Sequence, residues 1–152
     1  MVSEFKVEEI PEQPALSIST KCSSEQLPDV LGSAYSKIQD TLKKAGEEVA
    51  GAPYVIYYTM DMQNLDIEIG MPVKREVLGV NEVEAKMTLS GKAATCVYKG
   101  PYKNIESAYN ELAEFVKNEG LRPKGIACEM YLNNPMEVSP EDLLTKLSFP
   151  LK

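Results

Sequence analysis

The sequence predicts an α+β fold, a tandem pseudo-two-fold repeat of strand-helix-strand-strand units in which an antiparallel sheet carries two main helices on one face. Two observations predict it. The chain repeats itself once along its length, and each half contains one stretch of helical periodicity among shorter stretches that alternate like strands. Helices segregated on one face of a largely antiparallel sheet are typical of the α+β class.

The repeat appears when each residue is compared with the one 74 positions later. Six identities fall in this single register, at the pairs Ser33/Ser107, Ala34/Ala108, Tyr35/Tyr109, Gly46/Gly120, Gly51/Gly125 and Tyr57/Tyr131. After a four-residue insertion, IGMPV at 69–73 matches LSFPL at 147–151. Internal similarity of this kind indicates duplicated structural units. We therefore predict one domain, 1–152, with halves at approximately 1–74 and 75–152.

The first half is predicted to place one helix among strands. Residues 27–45 carry apolar side chains on one helical face. Ser24 or Ser23 can cap the start of this helix, and Gly46 is predicted to end it. The flanking apolar segments predict extended structure over 5–20, interrupted by two prolines, and strands at 53–60 and 65–73.

The second half repeats this order. Asn104 to Asn118 predicts a helix, closed by Gly120. A Ser-Gly turn at 90–91 separates the two strands before it, and two more strands follow it. These four strands are predicted at 83–89, 93–98, 126–132 and 143–149, with a bridging strand around 75–89 leading in from the first half.

Composition excludes several classes of function. The net charge of -7 and a sequence pI near 4.7 disfavour direct DNA binding, which depends on clustered lysine and arginine. Histidine is absent, which removes Ser-His and Cys-His catalytic pairs and the commonest transition-metal ligand. The sequence also lacks a glycine-rich phosphate loop. We predict no metal and no cofactor, so any chemistry depends on carboxylates, tyrosines, lysines or backbone groups.

Cysteine usage and the first twenty residues bear on location. The three cysteines, at 22, 96 and 128, are odd in number and lack metal-ligand spacing, which is typical of reduced thiols. Residues 1–20 contain several glutamates and two prolines, unlike a signal peptide. No apolar run approaches the length of a membrane span. We predict a cytoplasmic protein, and the sequence leaves its oligomeric state open.

The stretch GIACEMYLNN, residues 125–134, predicts a short strand with a glutamate in its middle. Alternation along a strand separates its side chains into two faces. One set, which is apolar, is expected to pack beneath the helices and consists of Cys128, Met130 and Leu132. The other set is expected to project from the opposite side and consists of Ala127, Glu129 and Tyr131. Glu129 is then either an exposed or lysine-paired residue, or a carboxylate placed to bind a ligand.

A known family resembles this sequence over essentially the whole chain. The segment YKGPYKNIESAYNELAEFVKNEG at 98–120, followed by GIACEMYLNNP and a terminal LSFPL, resembles the GyrI-like, or AraC-type effector-binding, small-molecule-binding domain. The YKGPY segment and the pattern formed by Glu129, Tyr131 and Pro135 are its more specific parts. Members of that family often follow a DNA-binding helix-turn-helix module. Because the first strand begins near Phe5, we expect a stand-alone effector-binding protein.

The resemblance implies a site for amphipathic, often cationic, small molecules in a cleft between the two repeats. Glu129 is expected to anchor the positive charge, because a glutamate at this position recognises cationic ligands in related domains. The chain has eight tyrosines and no tryptophan, and tyrosine combines apolar surface with a polar tip. The expected ligand-binding residues are Glu129, Tyr131, Tyr57, Tyr98, Tyr109, Tyr102 and Glu68. For Glu68, a structural ion pair is the competing interpretation.

Two other functions stay open. Some GyrI-like proteins resemble hydrolases that open strained cyclopropane rings in DNA-alkylating toxins. In that case Glu129 is the general base for a water molecule, and Tyr131 or Tyr98 holds the polar oxygen of the substrate. The family name also derives from members that act on DNA gyrase, so a protein-interaction role with gyrase is the second alternative.

Overall fold

A computed structural model of the protein describes residues 2–59 and 61–152, so position 60, the last residue of one predicted strand, lies outside the described residues. The described part of the chain contains eight strands and two α-helices. In chain order these are β1 Lys6–Ile10, β2 Pro14–Cys22, α1 Leu27–Ala45, β3 Tyr54–Tyr57, β4 Leu65–Pro72, β5 Glu84–Met87, β6 Gly91–Lys99, α2 Glu106–Asn118, β7 Ala127–Tyr131 and β8 Leu144–Pro150. Single 3-10 turns lie at Tyr102–Asn104 and Pro140–Asp142.

The α+β class is confirmed, and the strands pair in antiparallel fashion. The chain folds into two compact units. Residues 2–11 with 90–152 form the terminal unit, and residues 12–89 form the central unit. The terminal unit has the strand order β1-β6-β8-β7 and contains α2, whereas the central unit has the order β3-β4-β2-β5 and contains α1.

Each unit takes its edge strand from beyond the predicted boundary near residue 74. Val7 of β1 pairs with Ala94 of β6, so the first strand of the chain belongs to the terminal unit. Lys86 of β5 pairs with Ala15 of β2, so a strand of the second sequence half belongs to the central unit. Strand partners depend on tertiary hydrogen bonding, which a linear repeat does not specify. The tandem symmetry of the two sequence halves stays a prediction.

Helix α1 has the predicted bounds, but its start differs from the prediction. No side chain caps it; the backbone N–H of Gln26 instead donates to the Ser23 hydroxyl at 3.3 Å, one turn earlier. Pro28 lies in the first turn, where its missing N–H leaves no intrahelical bond unmade. Gly46 ends the helix with φ of 69°, as predicted, and its N–H donates to the carbonyl of Lys43 at 3.2 Å.

Helix α2 begins two residues later than predicted because residues 102–104 form a separate 3-10 turn. The Ser107 hydroxyl donates to the Asn104 carbonyl at 3.1 Å and closes the junction between the two. After the helix, Gly120 adopts φ of 65° and donates to the Lys117 carbonyl at 3.1 Å. Neither helix of the described residues is long and apolar enough to cross a membrane.

The core of the terminal unit forms between one face of α2 and one face of its sheet. Three side chains of α2 are buried there, those of Ala108, Leu112 and Val116. They pack with buried residues of the sheet and the chain end, namely Ala94, Cys96, Tyr98, Leu147 and Leu151. In the central unit, buried α1 residues include Ala34, Ile38 and Leu42, and the sheet contributes Leu16, Val55, Ile67 and Ile69.

We expect truncation of the α2 core to destabilise the protein strongly. Leu112 is fully buried, so Leu112→Ala removes apolar contacts and leaves a cavity, with a loss of about 2–5 kcal/mol in the free energy of unfolding. Leu78→Ala is the matched control, because Leu78 is 88% exposed and its truncation should change that free energy by less than about 0.5 kcal/mol. Urea titration measures both, and equal effects in the two variants would contradict this account of the core.

Candidate functional site

Glu129 is a buried carboxylate on the helix-covered face of the terminal sheet. It is 9% exposed. In the ladder it lies opposite Leu147, which in turn lies opposite Cys96, and both of these apolar residues pack against α2. Directly opposed residues share one face of a sheet. Glu129 therefore points towards the helix.

This placement corrects the predicted orientation of β7. Cys128 was expected to pack beneath the helices, but it lies opposite Ser148, on the other face of the sheet from Glu129. Alternation separates two sets of side chains correctly. Alternation does not determine which set faces the helix. The prediction placed the more apolar set there, and it was wrong because tyrosine partners on the helix side satisfy the buried carboxylate.

Two tyrosine hydroxyls bind the carboxylate, one to each oxygen. Tyr109, on α2, donates to Oε2, and Tyr131, two residues along β7, donates to Oε1 at 2.9 Å. The Tyr109 ring also packs against Phe149, with 5.9 Å between centroids. Two of the predicted aromatic residues are thus brought to the predicted anchor, one by the helix and one by the strand.

Tyr102 is at the solvent edge of this cluster. Its ring packs edge-on against Tyr131, with centroids 5.7 Å apart and planes at 73°, and the residue is 38% exposed. Burial, and to a lesser extent the charge of Glu129, raises the pKa of the Tyr102 hydroxyl. Glu129, Tyr109, Tyr131 and Tyr102 are hereafter called the carboxylate cluster.

The YKGPY segment forms the corner that carries Tyr102. The Tyr98 hydroxyl donates to the Pro101 carbonyl at 2.8 Å, and its side chain is buried in the core. Gly100 has φ of 147°, and a Cβ there would lie 2.7 Å from the Tyr98 hydroxyl oxygen, so only glycine fits this close approach. Tyr98 therefore has an identified part in positioning the turn, while its role as a ligand contact stays a prediction.

The electrostatics of Glu129 are dominated by burial. Loss of water raises the pKa of this carboxyl, and the hydrogen bonds from Tyr109 and Tyr131 lower it in part. None of the lysine or arginine side chains in residues 2–59 and 61–152 forms an ion pair with it. The interpretation of Glu129 as an exposed or lysine-paired residue is therefore wrong.

The other predicted carboxylate has a different environment. Glu68, in β4 of the central unit, is 4% exposed and accepts hydrogen bonds from Tyr58 at 3.1 Å and Lys86 at 3.3 Å. This is the structural ion pair that competed with a ligand role. Tyr57 belongs to the same unit, where it is buried opposite Ile67. For Tyr57 and Glu68, ligand contact stays a prediction.

Sequence reasoning missed two residues near the carboxylate cluster, Phe149 and Thr145, both on β8. Their register with β6 and β7 puts them on the face of Glu129. Their alternation with Leu147 along β8 indicates that the three side chains share one face of the sheet. It could not place them near Glu129 without knowledge of which strands pair with β8. No group of three or more metal-ligating side chains is arranged to hold an ion in the described part of the chain.

Comparison with known proteins gives a family match over nearly the whole chain. The model of the GyrI-like small molecule binding domain matches residues 3–152. Among curated protein sequences, none matches this chain.

The solved structures that share the fold at low identity include those of three proteins. The crystal structure of the EcmrR C-terminal domain has a TM-score of 0.82 and 20% identity, with 98% of this chain and 97% of that chain covered. In an EcmrR–DNA complex the TM-score is 0.85 at 20% identity, with 98% of this chain covered, and the match spans 57% of the longer EcmrR chain.

The other two are a hydrolase and a ligand complex. A hydrolase from Listeria innocua has a TM-score of 0.71 and 18% identity, with 98% and 92% coverage. SAV2435 bound to tetraphenylphosphonium has a TM-score of 0.65 and 11% identity, with 98% and 94% coverage. At these identities the likeness extends to the fold alone.

The raised pKa of Glu129 predicts a specific pH dependence of stability. Because the folded protein holds this proton more tightly than the unfolded chain, the group's contribution is complete below its ordinary pKa of 4.5 and is lost as the pH rises through the raised value. Glutamine mimics the protonated form at every pH. Glu129→Gln should therefore gain stability relative to wild type as the pH rises above 4.5, measured by urea titration at several pH values.

Glu8 provides a control of opposite sign. Its pKa is lowered, chiefly by the hydrogen bond from Thr95 and then by Lys146, so its contribution is lost as the pH falls below 4.5. The advantage of wild type over Glu8→Gln should therefore shrink in acid. A difference between Glu129→Gln and wild type that is constant with pH would refute the assigned pKa direction.

Proposed function

The chain belongs to the GyrI-like small-molecule binding domain family, and on this premise we propose that it binds amphipathic organic cations with Glu129 as the anchor. One observation carries the proposal: a buried carboxylate whose assigned hydrogen bonds come from two tyrosines and which has no ion-pair partner among the described basic side chains. A carboxylate in low dielectric without a counter-charge is energetically unfavourable. A cationic ligand supplies that counter-charge.

The surrounding rings suit a cation that carries apolar groups. Tyr109, Tyr131 and Tyr102 present aromatic surface around the carboxylate. A cation over an aromatic face gains roughly 0.5–2 kcal/mol per ring, and apolar substituents gain further from leaving water. Charge and aromatic faces have little directional preference, so we expect a wide range of ligands of this class.

A ligand can reach Glu129 only if neighbouring side chains move. Glu129 is almost fully enclosed, and Tyr102 is the most exposed member of the carboxylate cluster. Tyr102 is held on a single 3-10 turn next to the Gly100 corner, which is a smaller element than the helix or strand that holds the other tyrosines. We therefore propose that Tyr102 is displaced as a ligand enters. The location of the site between the two sequence halves stays a prediction.

The biological role that we propose is sensing or sequestration in the cytoplasm. The EcmrR chain seen bound to DNA contains more than this fold, since the present match spans 57% of it. Direct DNA binding by this chain is not proposed, because its net charge is -7 and its basic residues are not clustered.

The test uses tetraphenylphosphonium, the cation bound in the SAV2435 structure, as the probe. We expect the wild-type protein to bind it and Glu129→Gln to bind at least roughly ten-fold more weakly, because the attraction between the carboxylate and the phosphonium charge is lost. Isothermal titration calorimetry at neutral pH measures both. Glu68→Gln tests the other predicted carboxylate, which is similarly buried but already has Lys86 as a partner.

The two variants distinguish a site at Glu129 from a site at Glu68. Retained affinity in Glu68→Gln with loss in Glu129→Gln supports the anchor. Equal affinity in wild type and Glu129→Gln would remove the anchor role, and loss only in Glu68→Gln would move the site to the central unit.

A second candidate, hydrolysis of electrophilic cyclopropanes, is favoured by the raised pKa of Glu129 and by the hydrolase among the similar folds. In this mechanism Glu129 takes a proton from water. The water oxygen bonds to a ring carbon, and the strained C–C bond breaks. Its electron pair moves into an adjacent carbonyl, which is then protonated while Tyr131 or Tyr98, turned away from its present acceptor, holds its oxygen. The net reaction is addition of one water molecule.

Mass spectrometry distinguishes this reaction from binding. Incubation of wild type with a cyclopropane conjugated to a carbonyl should yield the water adduct if the protein is an enzyme, and Glu129→Gln should lower the rate at least roughly a hundred-fold through loss of the general base. Glu68→Gln should keep the rate. Unchanged substrate with wild type, under conditions in which tetraphenylphosphonium binds, would leave a binding protein without this activity.

A further inference from the structure

Thr145 has an unusual environment beside the carboxylate cluster. It lies in β8 and is fully buried, and its hydroxyl oxygen has no hydrogen-bond partner in residues 2–59 and 61–152. The ladder puts it opposite Tyr98 on one side and opposite Tyr131 on the other. It therefore shares a sheet face with Glu129, which is its diagonal neighbour on β7 at about 7–8 Å.

A buried hydroxyl without a partner is uncommon, because it has lost its bonds to water without replacement. Valine has nearly the same shape, is equally suited to a strand, and lacks this penalty. The Thr145 hydroxyl therefore adds no hydrogen bond to the fold within the described residues, and it lies on the same sheet face as Glu129.

We propose that Thr145 is a specificity-determining residue whose hydroxyl pairs with a hydrogen-bonding group of the bound cation. The proposal rests on the proposed binding function and adds to it a preference within the ligand class. A threonine hydroxyl both donates and accepts, so the complementary group is a hydroxyl, carbonyl, amide or N–H, held a short distance from the positive charge.

The neighbouring tyrosine hydroxyls are less suited to form this hydrogen bond with a ligand, because their protons already have acceptors. The Tyr98 hydroxyl proton is used by the Pro101 carbonyl, and the hydroxyls of Tyr109 and Tyr131 donate to Glu129. Charge and ring contacts accept any cation of suitable size. A ligand that satisfies a buried hydroxyl gains a directional contact, whereas a ligand without such a group leaves that hydroxyl unpaired.

The test compares one cation with its hydroxylated derivatives. The probes are tetraphenylphosphonium and its analogues bearing one hydroxyl at the ortho, meta or para position of one ring. These share the permanent charge and most of the apolar surface. Affinities are measured by calorimetry for wild type, Thr145→Val and Thr145→Ser. Ser148→Ala is the matched control, because Ser148 is buried on the same strand and lies opposite Thr95, on the other face.

We expect at least one hydroxylated probe to lose about three- to ten-fold in affinity for Thr145→Val, the value of one neutral hydrogen bond. Tetraphenylphosphonium should change less than about two-fold, and Thr145→Ser should keep the preference of wild type. The thermal midpoint of Thr145→Val should equal or exceed that of wild type, because an unpaired buried hydroxyl is removed.

Three results would overturn the inference. Unchanged affinity of Thr145→Val for every hydroxylated probe, with tetraphenylphosphonium still dependent on Glu129, removes Thr145 and keeps the proposed function. A fall of several degrees in the midpoint of Thr145→Val would show that the hydroxyl is paired within the protein. Absence of binding by wild type to all four probes would remove both proposals together.

Discussion

The buried carboxylate of Glu129 is the constraint on which the terminal unit is organised. It lies on the core face of the sheet, where a charged group is tolerated only if its oxygens are satisfied. Tyr109 donates to it from α2, and Tyr131 donates to it from the same strand. The bond from Tyr109 therefore joins the helix to the sheet at this position. The helix must lie where its tyrosine meets the glutamate. The strand must keep the register that puts Glu129 opposite Leu147.

Comparison with the half-buried Glu8 and the buried Glu68 shows what is particular about Glu129. On the opposite face of the terminal sheet, Glu8 of β1 accepts a hydrogen bond from Lys146 of β8 at 3.2 Å and another from Thr95. In the central unit the charges are exchanged, since the edge strand β5 carries Lys86 and the inner strand β4 carries Glu68. Both of those acids have a lysine. Among the described residues, Glu129 has only neutral hydroxyls, and its burial raises its pKa more than their hydrogen bonds lower it, whereas the hydrogen bond from Thr95, followed by Lys146, lowers the pKa of Glu8.

Local backbone chemistry then positions Tyr102 at the exposed edge of the carboxylate cluster. Tyr98 fixes the corner at Gly100 and Pro101, and the corner sets the 3-10 turn that carries Tyr102. Tyr102 is therefore attached to a short element with few hydrogen bonds of its own, next to a helix that begins only at Glu106. A residue held by a single turn can move locally without disturbing the packed core of the unit.

The sequence by itself determined the elements and the residue types of the site. Helical periodicity and a terminal glycine predicted the bounds of α1. The presence of one glutamate in an otherwise apolar strand identified Glu129 as a candidate site residue. The start of α2 and the absence of a serine cap on α1 depended on turn geometry that propensity does not encode.

Only the tertiary structure decided which strands pair, which face of β7 meets the helix, and which tyrosines reach the carboxylate. Alternation divides Glu129 from Cys128 but is symmetrical with respect to the two faces. That symmetry is broken by contacts distant in sequence, such as the bond from Tyr109 and the register that puts Thr145 between Tyr98 and Tyr131. Long-range pairing is a property of the folded chain as a whole, so no single segment contains the information that fixes it.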